Sequence, residues 1–172
     1  GGERLPHLVQ SIDIAPTLLH LAGLTPPKTI QGKSLLPLIQ KQNVAWRQVA
    51  FGENLWSNQH GNPRCETVRT DQYRYIRYFQ NDRHEKTHLT NQSNAKAYAT
   101  SLTASIHGEP IVYEELYHTA IDPYEATNLI HQSDYAEIAD HLRHQCAQFV
   151  RTAKGTLHQP PATIPLSTPK QK

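Results

Sequence analysis

Apolar residues recur along this chain in different rhythms, and each rhythm predicts a different element. Residues 8 to 22, LVQSIDIAPTLLHLA, crowd Leu18, Leu19, Leu21 and Ala22 together, with His20 almost the only polar interruption. The pattern predicts a helix with Asp13 as N-cap, Pro16 in the tolerant first turn and Gly23 as its stop. With so little polar face, it is expected to bury itself against a larger body. Residues 24 to 33, LTPPKTIQGK, read as loop, and SLLPLI as a short apolar hook. From Arg47 the period becomes two. RQVAFGE, RCETVRT and YRYIRYF are predicted strands, with turns at Gly61-Asn62-Pro63 and Asp71-Gln72, the second tight enough for a hairpin.

The stretch from 80 to 109 is polar; within it NAKAYATSLTASIHG is predicted helical, with Tyr98, Leu102 and Ile106 as one thin stripe and Gly108 as its end. A further strand, EELY, leads into HTAIDPYEATNL. There Asp122 and Glu125 are expected to form a capping box around Pro123, Asn128 to turn left-handed and Leu129 to fold onto the core. The strongest helical period follows: Tyr135, Ile138, Ala139, Leu142, Cys146, Phe149 and Val150 share one face from about 134 to 153, with a second box at Asp134 and Glu137. The tail TLHQPPATIPLSTPKQK has no period and is expected to be mobile. The fold class is therefore α+β: a small antiparallel sheet of about four strands packed on a long C-terminal helix, preceded by a helix and loop.

Composition narrows the function. The 172 residues suffice for one domain with a core, although the chain is only 37% hydrophobic and holds twelve prolines. Seventeen basic against fifteen acidic side chains give +2, which points to neither nucleic acid nor a membrane surface. No apolar run approaches the ~18 residues of a membrane span. Two cysteines, Cys65 and Cys146, build no disulfide framework and leave the compartment open. The opening GGERLPHLVQ reads as the interior of a longer chain.

Two motifs weigh little. HEKTH, His84 to His88, has the zinc-protease spacing, but its polar surroundings offer no apolar face to bury such a helix, so it is taken as a solvated loop. RTDQYRYIRYF alternates arginine with tyrosine as a single-strand platform does, yet no basic stripe extends beyond it, and half-exposed sheet explains it. FGENLWSNQHGNPR is the better candidate. Glu53, Asn54, Trp56, His60 and Arg64 supply carboxylate, amide, aromatic plate and cations within one loop, a set of substrate-binding candidates that would suit a sulfated sugar, the substrate class implied by the family resemblance that follows. The same residues also read as plain structure, with Trp56 in the core and Glu53 paired to Arg64; both readings stand at this point.

Three blocks, DIAPTLLHLAGL…IQGKSLLPLI, FGENLW…NPRCETVRTDQYRYIRYF and EELYHTAIDPYEATNL, resemble in order and spacing the C-terminal third of a sulfatase of the N-sulfoglucosamine sulfohydrolase type or a bacterial relative. The likeness runs over roughly residues 8 to 150; His20 and His118 depart from it where aspartate is commoner. It implies that residues 1 to 45 complete the edge of a large α/β, alkaline-phosphatase-like catalytic domain. Residues 46 to 153 would be the small α+β subdomain, and 154 to 172 a mobile tail. It also implies a parent that hydrolyses sulfate esters or N-sulfates on carbohydrates with formylglycine and calcium, in a periplasmic or secreted setting. Those groups belong to the N-terminal domain of the family, the expected partner of this chain. Cys65-Glu66-Thr67-Val68-Arg69 falls short of the C/S-x-P-x-R nucleophile motif at Thr67 and sits in a predicted strand. The chain alone is thus expected to hold no catalytic residue, cofactor or metal. The alternatives are a stand-alone carbohydrate-binding module and, within the superfamily, a phosphonate or phosphate ester hydrolase.

Overall fold

A computed structural model describes residue 2 and residues 4–54, 64–79 and 111–157, the last five as backbone only. The first element is a single 3-10 turn, Ser11–Asp13, that runs into helix α1, Ile14–Leu21. Gly23 ends α1 as predicted. Its φ of +74° lets its own N–H reach the His20 carbonyl, while Leu24 N–H reaches the Leu19 carbonyl at 2.9 Å. Helix α2, Leu36–Ile39, is the apolar hook. Four strands follow in simple order, β1 Ala50–Asn54, β2 Cys65–Arg69, β3 Arg74–Phe79 and β4 Ile111–Tyr117, each antiparallel to the next. Helix α3, Ala136–Leu157, closes the described chain after a 3-10 turn at Ser133–Tyr135.

The α+β architecture is the one that the periods predicted, and strand alternation builds its core. Register places Phe51 opposite Val68, Val68 opposite Tyr75 and Tyr75 opposite Leu116, so one row crosses all four strands on a single face. Val68, Tyr75 and Leu116 are fully buried there against Ala139, Leu142 and Cys146 of α3, joined by Leu129. The helix runs obliquely: Tyr135 meets Tyr73 at the β2–β3 turn, and Phe149 stacks on Phe51 of the edge strand at 5.4 Å.

Several local expectations are corrected. Asp13 does not cap α1. It is fully buried and reaches back to the Gln10 amide at 2.8 Å, forward to the Lys33 amide at 2.8 Å, and across to both terminal nitrogens of Arg47. Arg47 is therefore drawn away from the sheet, and β1 starts three residues later than its alternating pattern suggested. Gly32 has to be glycine here, because an added Cβ would lie 1.9 Å from the Ile12 carbonyl oxygen. No helix follows Asp122 and no capping box forms; the Asp122 carboxylate accepts from Thr127 N–H at 3.0 Å. Glu125, not Asn128, is left-handed (φ +54°), and its side chain reaches Arg74 at 2.8 Å. Asn128 instead acts as an extra strand residue on the edge of β4. Its Oδ1 accepts from Leu116 and Ile130 N–H, and its Nδ2 donates to the Glu114 carbonyl. Leu129 does pack into the core. The turn at Ser133 has Gln132 as N-cap with no side-chain capping bond, so the box at Asp134 and Glu137 is absent as well.

Outside the core, α1 presents Ile14, Leu18 and Leu21 on one stripe, 56%, 60% and 62% exposed. Among the described residues nothing covers this stripe, and the larger body against which the helix is expected to bury is not part of them.

Candidate functional site

Trp56, His60, the HEKTH motif, the helix predicted at NAKAYATSLTASIHG and the proline-rich tail lie outside the described residues. The other three candidates sit where β1 ends and β2 begins. Glu53 and Asn54 are successive residues of one strand, so they point to opposite faces of the sheet. Asn54 pairs in register with Cys65, which faces Tyr78, on the side away from α3. Glu53 lies on the helix side, and its register partner is Glu66. Arg64, two residues before Glu66, shares that side as Glu53's diagonal neighbour; it is 4% exposed, and its guanidinium lies 5.8 Å from the Phe79 ring.

The structure adds residues that the sequence did not single out. Next to the apolar row, a second row crosses the same face: Glu53 opposite Glu66, Glu66 opposite Arg77 and Arg77 opposite Glu114. Glu66 is fully buried. Arg77 holds it through Nε at 2.7 Å and Nη2 at 2.5 Å, and the Arg77 guanidinium lies 5.6 Å from the Phe79 ring. From α3, Arg143 donates to Glu114 at 2.7 Å, and the Tyr75 hydroxyl donates to the same carboxylate. Cys146 directs its thiol at Glu66. One signal for this row was available, since Glu66 and Arg77 keep strict period-two phase with the core residues Val68 and Tyr75. A charged residue in a core phase marks a buried ion pair as readily as a strand end, and only the register separates the two.

The protonation states follow. Burial tends to raise the Glu114 carboxyl, but the bonds from Arg143 and Tyr75 outweigh it and hold the group below its ordinary range. Asp13 behaves alike: its burial is outweighed by Arg47 and the amides of Lys33 and Gln10. Glu53 goes the other way. Its carboxyl is partly withdrawn from water and faces Glu66, and both effects push it up. Burial pushes the Cys146 thiol to about 12. Cys65 is also raised, first by burial, so it is no reactive thiolate, and it stands in a strand with Thr67 two positions on. It does not fit a formylglycine precursor. Among the described residues no group of three or more His, Cys, Asp or Glu is placed to hold a metal ion. At the opposite end of the sheet an open groove of about 360 Å³ lies between Thr70 and Tyr73 and the helix residues Glu137, Ile138, His141 and Leu142. Its floor is apolar.

Residues 1–107 match the family model of the C-terminal region of N-sulphoglucosamine sulphohydrolase. The chain belongs to this family. An ulvan-active sulfatase of Formosa agariphila is 28% identical over 173 residues, covering 98% of this chain and 34% of that protein. An arylsulfatase of Clostridium perfringens is 28% identical over 142 residues, 83% of this chain and 22% of that one. The chain therefore spans about a third or less of the length of these relatives. Among solved structures, a 2-O glycosaminoglycan sulfatase aligns with a TM-score of 0.63 at 22% identity, over 90% of this chain and 28% of its own. A protein solved with its substrate D-glucosamine-2-N,6-O-disulfate aligns at 0.60 and 24%, over 83% and 24%. These likenesses establish that the fold is that of a sulfatase C-terminal region.

Proposed function

We propose that this chain is the C-terminal, substrate-shaping part of a sulfatase acting on a sulfated carbohydrate, and that a catalytic part elsewhere in the same polypeptide supplies nucleophile and metal. The family match over residues 1–107 carries the reading. Relatives named for ulvan and for N-acetylglucosamine 6-O-sulfate support the carbohydrate class. A formylglycine nucleophile and a calcium ion, the groups that the resemblance implies, would be held by that catalytic part and would supply the attack on sulfur and the neutralisation of the sulfate charge. The contribution of this chain is support and selection. On this reading the exposed stripe of Ile14, Leu18 and Leu21 is the surface that meets the catalytic part, and the sugar-selecting candidates are the residues read from the sequence, Glu53, Asn54, Trp56, His60 and Arg64.

The test uses the whole sulfatase. Arg64→Ala and His60→Ala should each lower kcat/KM for the sulfated sugar about ten- to a hundredfold, the value of one charge-assisted contact. A small aryl sulfate that does not reach these residues should be hydrolysed almost as before. Equal losses on both substrates in a folded variant would place these residues in catalysis, and no loss on either would return them to structure. Faster turnover of a phosphonate monoester than of any sulfate would overturn the reaction class.

A further inference from the structure

The arginine–tyrosine alternation of RTDQYRYIRYF is split by the hairpin. Tyr75 and Arg77 turn inward, while Arg69, Arg74 and Tyr78 turn to the outer face of the sheet, away from α3. At the turn end of that face Arg69 stands directly opposite Arg74, with Tyr117 next in the row. Directly opposed like charges destabilise a strand pair. Arg74 Nη1 donates to both oxygens of Glu125, at 3.1 and 2.8 Å. Arg69 is exposed and meets no acid among the described residues; Asp71 in the adjoining turn makes no described bond to it. Two rows away Tyr78 stands beside Tyr113, in line with Asn54 of β1. Their rings lie 5.7 Å apart, Asn128 Nδ2 donates to the Tyr113 hydroxyl at 3.3 Å, and Tyr113 is still 51% exposed. In the middle row Ile76 is buried, and Glu115 accepts from the Tyr78 hydroxyl at 2.8 Å. What stands open on this face is therefore cation, carboxylate and aromatic ring.

We propose that the outer face of the sheet is a docking track for a sulfated carbohydrate chain, with a sulfate group at Arg69 and Arg74 and a sugar ring against Tyr113. The two anchor points lie about 13–14 Å apart along the strands. A sulfate between the two guanidiniums accepts charge-assisted bonds from Arg69 and from the unengaged edge of Arg74, and it offsets the repulsion that their register imposes. Tyr113 offers an apolar body with its hydroxyl already bonded, so a ring settles on a side chain that has little freedom left to lose. Glu115, between the anchors, repels sulfate and accepts from hydroxyls, which fixes the direction in which the chain lies. The aliphatic stripe of Ile14, Leu18 and Leu21 has the opposite chemistry and suits a protein surface. The carbohydrate class rests on the reading above, and the track ends in the row of Asn54, so a chain lying on it leads to the β1–β2 end.

Equilibrium binding to the 172-residue chain tests the track without turnover. The probes are a tetrasaccharide carrying N-acetylglucosamine 6-O-sulfate, the same tetrasaccharide without sulfate, and inorganic sulfate. The sulfated sugar should bind about tenfold more tightly than either of the others. Arg69→Gln should weaken the sulfated sugar about three- to tenfold and leave the sulfate-free one alone, while Arg69→Lys keeps most of the affinity. Tyr113→Ala should weaken both sugars alike. Lys28→Gln, which removes an exposed cation outside the sheet, should change neither. No binding by the native chain, equal binding of both sugars, or the same loss in Lys28→Gln as in Arg69→Gln would overturn the track. In the whole sulfatase, Arg69→Gln should raise KM for the sulfated tetrasaccharide and leave that for the monosaccharide sulfate unchanged. Unchanged KM for both would mean that the catalytic part covers this face, and would overturn the track as well. A sulfated sugar that binds the chain but is not hydrolysed by the whole sulfatase would sink the substrate reading and leave the track standing.

Discussion

Asp13 and Glu66 are both fully buried carboxylates held by an arginine, yet their surroundings differ. Asp13 is met only by donors: two backbone amides and both ends of the Arg47 guanidinium. Glu66 shares its face of the sheet with Glu53 and Glu114 as well as with Arg77. The first arrangement ties three distant segments into one knot and has no reason to move. The second concentrates charge at the end of the sheet where the candidate substrate residues lie. Burial of a carboxylate thus says little by itself; the sign of what surrounds it separates a structural clasp from a responsive site.

The sharpest test of this contrast is removal of each acid. Asp13→Ala should cost about 3–5 kcal/mol in urea unfolding of the chain, because Arg47 is left buried without its carboxylate. Glu66→Ala should cost less, about 1–3 kcal/mol, since it relieves a repulsion with Glu53 while stranding Arg77. A larger loss at Glu66 than at Asp13 would reverse the assignment of clasp and responsive site.

The two regions should also answer pH with opposite sign. Asp13 has a depressed pKa, so its stabilisation is present above the ordinary aspartate range and is lost as the pH falls through its lowered value. Stability should therefore decline below about pH 4, and less steeply in Asp13→Asn. Glu53 has a raised pKa, so its contribution is complete in acid and is lost as the pH climbs through the raised value. Unfolding curves across both windows distinguish the two; a loss in the same direction in both would break the comparison.

Smaller effects sharpen it. The paired change Leu18→Ser and Leu21→Ser should leave unfolding within about 0.5 kcal/mol of the parent, because these side chains are mostly exposed among the described residues. Sedimentation should show weaker self-association at the same time. A cooperative loss of structure would mean that the stripe is packed after all. Smallest is Glu53→Gln, expected to stabilise by about 0.2–0.5 kcal/mol near neutral pH, reduced by solvent screening at an exposed site, and by nothing in acid.

The sequence by itself determined the order of elements and the faces that they bury. Period two placed Val68, Tyr75 and Leu116 on one side of a sheet, and the helical period placed Ala139, Leu142 and Cys146 against them, since burial of apolar area selects the face and the local repeat records it. The blocks around IDIAPTLLHLAGL, NPRCETVRTDQYRYIRYF and AIDPYEATNL were enough to reach the sulfatase family. Tertiary structure alone decided what the polar residues do. Asp13 left its expected cap for Arg47, 34 positions away; Glu125 left its expected box for Arg74, 51 positions away; and Glu66 joined a row reaching Cys146, 80 positions away. A hydrogen bond or ion pair is short-ranged and directional, so its partner is chosen by which segments the packed core brings within about 3 Å, and nothing in the local repeat carries that choice.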